Sequence, residues 1–389
     1  MLPRKIALLI EKKLVFPDKR IFFLWGPRQI GKSTLLNYFY EKCGGSFFTF
    51  DDLSDQKLFV PDLIKLKSVL SERSNNPKSR LVFIDEIQNN PEATQAIKLL
   101  TDQTDYLIFA TGSSELRAKT QRFDSLAGRY EELVLFPLTI DETAVFNHDS
   151  PALLEDKPNF AQNERLKKFI EPLMIYGSYP KVVLSENKPL ELKNISQNSI
   201  IKDIVNIYNL KNTDLVFNLL RLLAMQIGSL INVSEIASSL GSTKATIDNY
   251  LSILAKNRII FFLEPLRANK RRAYLSRKKV YFYDLGIRNS LIEDFRPKEV
   301  RLDLGAMFEN LIVAGFTRQN SYQSGFNKLY FYREIAGRQK EIDLIRENLQ
   351  GEKEGFEIKY QGEGVNYFEG LGIKKYSLIS AANAAEFLV

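Results

Sequence analysis

One short string constrains this chain more than any other feature. Gly26-Pro27-Arg28-Gln29-Ile30-Gly31-Lys32-Ser33 fits the pattern GxxxxGK[ST]. It follows an apolar run, Ile21-Phe22-Phe23-Leu24-Trp25, and opens a helical pattern from Lys32 to Lys42. In the order strand, glycine-rich loop, helix, backbone N–H groups wrap a phosphate and the helix N-terminus adds the positive end of its dipole. Further strand-like runs follow at Phe47–Phe50, Leu81–Ile84, Tyr106–Ala110 and Leu133–Leu135, with helical stretches over 55–73 and 91–100 between them. The runs are apolar on both faces, as strands covered by helices on both sides should be. Residues 1–145 are therefore expected to form an α/β domain with a parallel sheet of the P-loop NTPase kind.

The loop assigns roles by chemistry. Lys32 would reach the β- and γ-phosphates of ATP, and Ser33 would hold Mg²⁺. Gly26, Pro27, Arg28, Gln29, Ile30, Gly31 and Thr34 complete the expected nucleotide-binding set. The run Leu81-Val82-Phe83-Ile84 ends in Asp85-Glu86. Asp85 would bind the Mg²⁺ shell through water, and Glu86 would orient or activate the attacking water. The plainer alternative is that the pair caps a nearby helix. Arg129, in Leu126-Ala127-Gly128-Arg129-Tyr130, reads either as an arginine finger supplied across a subunit interface or as a structural salt bridge.

The loop with Thr34, Ile84-Asp85-Glu86-Ile87-Gln88, Thr111-Gly112-Ser113-Ser114 and Leu126-Ala127-Gly128-Arg129 together resemble a prokaryotic AAA-type ATPase family. Its members pair this ATPase with a C-terminal domain of unassigned function. Phe136-Pro137-Leu138 and Ile201-Lys202-Asp203-Ile204 fit the same pattern, and the resemblance covers essentially the whole chain. It implies a polar sensor beside the γ-phosphate, either Thr111 or Ser113, and a homo-oligomer. The chain departs from many relatives at Tyr176-Gly177-Ser178-Tyr179-Pro180-Lys181, where they carry a Gly-Gly pair and an acid after the proline.

Composition excludes other chemistries. The 389 residues include one cysteine, Cys43, and one histidine, His148. A disulfide scaffold and a four-ligand zinc site are excluded. Ser-His-Asp and Cys-His hydrolases would need His148 as base, and its setting, Asn147-His148-Asp149-Ser150-Pro151, reads as a surface turn. Aromatic residues make up 12%, ample for a buried core. The net charge of +7 leans toward nucleic acid or another anionic surface. No apolar run approaches the ~18 residues that cross a bilayer. With no signal-peptide pattern at Met1–Lys5, a cytoplasmic protein is expected.

Beyond residue 145 a helical lid or linker is expected over 146–214. Residues 215–285 read as a winged helix-turn-helix. A first apolar helix is followed by Ser234–Leu240, with Ser234 as N-cap, and by a third helix with the stripe Ile247, Tyr250, Leu251, Leu254. Ile259–Leu263 and Val280–Tyr283 would be the wing strands. Between 265 and 280 lie seven basic residues and no acid: Arg267, Lys270, Arg271, Arg272, Arg277, Lys278 and Lys279. Such a wing would meet DNA phosphates, while Lys244 and Asn249 on the third helix would touch bases. Asp248 works against that, and a charge run is also what a solvated face looks like.

Residues 286–389 read as a further α/β unit. Glu309 lies on a helix, Asp343 on an alternating strand, and Glu357 and Lys359 two apart on another. The order Glu, Asp, Glu-x-Lys resembles the PD-(D/E)xK nuclease superfamily. The resemblance implies that Asp343 and Glu357 hold Mg²⁺, that Glu309 joins them, and that Lys359 steadies the reacting phosphodiester. The alternative is an internal ion-pair network. Read together, the modules suggest an ATPase that remodels, translocates or processes DNA. The alternatives are a nucleotide-dependent switch without motor activity and a chaperone-like ATPase whose last domain is an interaction module.

Overall fold

The computed structural model describes residues 4–15, 17, 20–112, 126–149, 159–208, 210, 212–266, 277–322, 326–334 and 340–389. The chain divides into two compact units, Met1–Phe136 and Pro137–Val389.

The first unit is built on five strands: β1 (Ile21–Trp25), β2 (Ser46–Thr49), β3 (Leu81–Asp85), β4 (Leu107–Gly112) and β5 (Tyr130–Val134). Their order is β2-β3-β4-β1-β5, and every pairing is parallel. The two-sided apolar runs behave as such runs must: β1 is buried along its whole length. Ile21, Phe23 and Trp25 share a core layer with Ile97 and Leu100, while Phe22 stacks on Phe109 with ring centroids 4.8 Å apart. The helical stretch expected over 55–73 is two helices, Leu53–Leu58 and Leu63–Arg73. Pro61 offers no N–H between them, and Asp62 starts the second by accepting from the Ile64 and Lys65 N–H groups at 3.1 Å each.

The second unit opens with short helices, among them Ile140–Phe146, Ile170–Tyr176 and Lys188–Lys193. His148 stands in an exposed turn after the first of these, with a left-handed φ of 69°. Three longer-range features follow: helices Thr213–Met225, Val233–Ser239 and Lys244–Lys256. The third buries Ile247, Tyr250, Leu251 and Leu254 as its stripe predicts, with Ile253 added. Ser234 is not the N-cap of the second helix; Asn232 holds that position and Ser234 falls within the first turn.

Strands β6 (Ile260–Pro265) and β7 (Lys279–Phe282) pair antiparallel. Glu264 and Pro265 of β6 pair in parallel with Tyr330 and Phe331 of β8 (Lys328–Arg333). With β9 (Glu341–Glu347), β10 (Lys353–Ile358) and β11 (Ile373–Ile379), the six strands form one sheet in the order β11-β10-β9-β8-β6-β7. The boundary expected between residues 285 and 286 therefore separates strands of a continuous sheet, because strand pairing is set by partners remote in sequence. The long helix Leu304–Tyr322 packs on β7 and β10. Among the described residues no helix is long and apolar enough to cross a membrane.

Candidate functional site

Because β1, β3 and β4 run parallel, their carboxyl ends share one edge of the first sheet. The register pairs Trp25 with Gly112, Leu24 with Thr111, and Ile84 with Ala110. This brings the loop after β1, the acids after β3 and the polar end of β4 to that edge, where α/β sheets bind ligands. The loop needs its glycines. A Cβ at Gly26 would stand 2.5 Å from the Leu135 carbonyl oxygen, and Gly31 has φ +97°. Helix Lys32–Cys43 starts at Gly31 without a side-chain cap. Its first N–H groups point toward the loop, the arrangement that suits an anion.

Lys32 is 4% exposed, and its Nζ donates to the carbonyl oxygens of Gly26 at 3.0 Å and Pro27 at 2.9 Å. Ser33 is half-buried, Ile30 is buried, and Arg28, Gln29 and Thr34 are exposed. Arg4, which sequence reasoning missed, ties the loop down: its guanidinium donates to the Ile30 carbonyl at 3.1 Å and to the Phe136 carbonyl at 2.7 Å. Its buried carbonyl partners lie 26 and 132 residues away, so no local pattern marks it.

Asp85 is buried and accepts a hydrogen bond from the Thr111 hydroxyl. The Glu86 N–H approaches the same hydroxyl at 3.4 Å. Glu86 adopts a left-handed backbone conformation, φ 54° and ψ 47°, and leads into the short helical turn Ile87–Asn89 without capping it by its side chain. Left-handed backbone at a non-glycine residue is uncommon and clusters at functional sites. The Glu86 carboxylate accepts from the Gln88 side-chain amide. Ser113, the other expected sensor, lies outside the described residues. Arg129 forms a two-pronged ion pair with Asp102 of its own unit, at 2.7 and 3.1 Å. These donors fit a nucleotide with Mg²⁺: an uncapped helix start for phosphate, and the Ser33 hydroxyl with the Asp85 carboxylate as hard oxygen groups for the cation.

In the second unit, Lys244 and Asn249 are exposed on helix Lys244–Lys256, as is Asp248. Arg277 is exposed, and Lys278 is paired with Glu264 at 2.7 Å. Arg267, Lys270, Arg271 and Arg272 lie outside the described residues. Lys279 departs from the expected basic run: it is 3% exposed.

Lys279 points into the acidic residues of the last domain. Glu309 of helix Leu304–Tyr322 and Glu341 and Asp343 of β9 bring carboxylate oxygens within 4.8 Å of one another. The Lys279 ammonium pairs with Glu309 at 2.8 Å and with Glu341. The Tyr281 hydroxyl donates to Glu309 at 2.6 Å. Burial alone would lower the Lys279 pKa, but the charges of Glu309, Glu341 and Asp343 raise it above the ordinary value. Burial and the Glu309 charge push the Asp343 carboxyl up to about 7, with Lys279 and the Ile358 N–H opposing. Glu357 lies outside that group of three, yet its charge also acts on Asp343; it accepts from the Asn366 amide at 3.2 Å and pairs with Lys359 at 3.3 Å. The Lys359 Nζ also donates to the Gly364 carbonyl at 3.1 Å. The Lys279 ammonium thus holds two carboxylates of the cluster, Glu309 and Glu341. Glu341, Lys279 and Tyr281 were missed in the sequence; the signal was the spacing of Lys279 and Tyr281, which places both on one face of a strand.

A glycine-rich loop between a strand and a helix, facing an Asp-Glu pair across a parallel sheet, defines the P-loop nucleotide-binding class. More particularly, residues 18–144 match the AAA domain family, and the chain carries an AAA-type P-loop ATPase domain. Residues 167–298 and 304–382 match two domains of unknown function, DUF8612 and DUF4143. An uncharacterised protein of Methanocaldococcus jannaschii is 26% identical over 309 residues, 72% of this chain and 64% of that protein. An uncharacterised protein of Haemophilus influenzae is 27% identical over 286 residues, 69% of this chain and 68% of that one. Among solved structures, the Walker-type ATPase of Pyrococcus abyssi is similar with a TM-score of 0.45 at 16% identity, covering 75% of this chain and 96% of that one.

Proposed function

We propose that this protein is a Mg²⁺-dependent ATPase that couples nucleotide turnover to the binding and remodelling of DNA. One observation carries the first half. The loop Gly26–Thr34, the Asp85-Glu86 pair and Thr111 converge at one edge of a parallel sheet. Bound Mg²⁺ would supply charge neutralisation at the β- and γ-phosphates. On this reading the loop N–H groups and Lys32 seat the phosphates, and Ser33 and Asp85 hold the cation. Glu86 orients a water and takes its proton at the carboxylate, once that carboxylate leaves the Gln88 amide.

The DNA half rests on the winged-helix reading of residues 215–285. Its support is the helix Lys244–Lys256 with Lys244 and Asn249 exposed, the antiparallel pair β6–β7, and the basic segment that joins those strands. The C-terminal domain contributes contacts to the bound DNA. A homo-oligomer remains part of the proposal through the family resemblance alone, since Arg129 is paired within its own unit. The testing experiment is ATP turnover in Mg²⁺ with duplex, single-stranded or branched DNA, beside binding of the same DNA with and without nucleotide. Stimulated turnover supports the remodelling ATPase.

A second reading, a nucleotide-dependent switch, is favoured by the hydrogen bond that holds Glu86 on Gln88. On that reading turnover is slow and unaffected by DNA, while ATP changes DNA affinity.

A further inference from the structure

We propose that the Lys279 ammonium is the resident cation of the Glu309–Glu341–Asp343 cluster, standing where a divalent metal would otherwise be held. The proposal is independent of the ATPase reading. Lys279 and Tyr281 alternate on β7 and so share a face, and both reach the same carboxylate oxygen, Glu309 Oε1, at 2.8 and 2.6 Å. Lys279 also pairs with Glu341, and its ammonium lies 5.6 Å from the centroid of the Phe331 ring.

The cluster is half-buried, its lysine fully so. Lys279 side-chain exposure is 4%, that of Glu309 16% and that of Glu341 22%. Gly228, after helix Thr213–Met225, lies against the Glu309 carboxylate, so near that an added Cβ would stand 3.4 Å from its Oε2. The Gly228 N–H donates to the Val280 carbonyl at 2.9 Å, which fastens that loop over β7. Asp343 is further engaged by the Ile358 N–H at 2.8 Å.

Charge decides what can share such a place. Three half-buried carboxylates with oxygens within 4.8 Å of one another repel, and a cation or a proton relieves that repulsion. A divalent ion bound by the same oxygens would have to displace the ammonium, leaving it buried without its partners, which is costly. A tethered ammonium needs no ion from solution and loses no affinity to dilution. It therefore acts as a permanent brace between β7, β9 and helix Leu304–Tyr322.

The test uses the full chain without nucleotide and Mn²⁺ as probe, read by electron paramagnetic resonance and by thermal unfolding. The native chain is expected to show no Mn²⁺ site that Asp343→Asn removes. Lys279→Met is expected to unfold at lower temperature than native. Millimolar Mn²⁺ should restore that loss, with Mn²⁺ bound at least about tenfold more tightly than by native chain. Adding Asp343→Asn to Lys279→Met should abolish the gained site. A native Mn²⁺ site lost in Asp343→Asn would overturn the proposal. So would a folded Lys279→Met that gains no site. If Lys279→Met fails to fold, the comparison of native chain with Asp343→Asn decides alone, and Lys279→Arg, which keeps a cation, is expected to stay folded.

Discussion

At the scale of single residues, two side chains separate binding from chemistry. Lys32 is placed by the first turn of its helix against the loop carbonyls, where its charge is available to phosphate. Lys32→Ala should weaken ATP binding about 10- to 100-fold, the worth of a lost charge-assisted contact. A calorimetric titration showing native affinity would move the site elsewhere. Glu86→Gln keeps the shape and removes the base. It should bind ATP normally and turn it over about 10²–10⁴-fold more slowly; unchanged single-turnover rates would mean that another group activates the water. The residues of the loop were legible because the motif is local. Arg4 and Lys279 were not, because each acquires its partners from positions distant in sequence. Lys279 shows the difference in kind: in the sequence it is one more cation in a basic run, whereas strand alternation turns it inward toward acids on another helix and strand.

At the scale of elements, the parallel strands were legible because a strand covered on both faces is apolar at every position, and β1 is. The strands expected as a wing were also legible as strands. What the pattern did not contain was their third partner, since β6 meets β8 some sixty residues onward and only at Glu264 and Pro265. Another junction turns on a single glycine. Gly177 ends helix Ile170–Tyr176 at φ +66°, and an added Cβ would stand 2.1 Å from Asp284 Oδ1. Asp284 is buried, starts helix Leu285–Leu291 by accepting from Ile287, and also accepts from the Ser178 N–H at 2.7 Å. Burial pushes its carboxyl up, and these N–H donors oppose the shift. Gly177→Ala must strain the backbone and part these elements. It should cost on the order of 2–3 kcal/mol in urea unfolding. A variant within experimental error of native would show that the junction tolerates a side chain.

At the scale of the whole molecule, an ATPase domain would be coupled to a basic surface carried by other elements. Arg277, in the segment joining β6 and β7, is exposed, whereas Lys278 is engaged by Glu264. Arg277→Ala should therefore reduce the slope of log DNA affinity against log salt by about one contact, and Lys278→Ala by less. Equal slopes for Arg277→Ala and native protein would remove Arg277 from the interface. The nucleotide site underlies every other activity proposed for the molecule. Its most direct test is ATP turnover by the native chain in Mg²⁺, with and without DNA, beside Lys32→Ala in the same assay. The predicted result is Mg²⁺-dependent turnover that rises with one form of DNA and is lost in Lys32→Ala. Turnover that persists undiminished in Lys32→Ala, or a native chain that neither binds nor hydrolyses ATP, would contradict it.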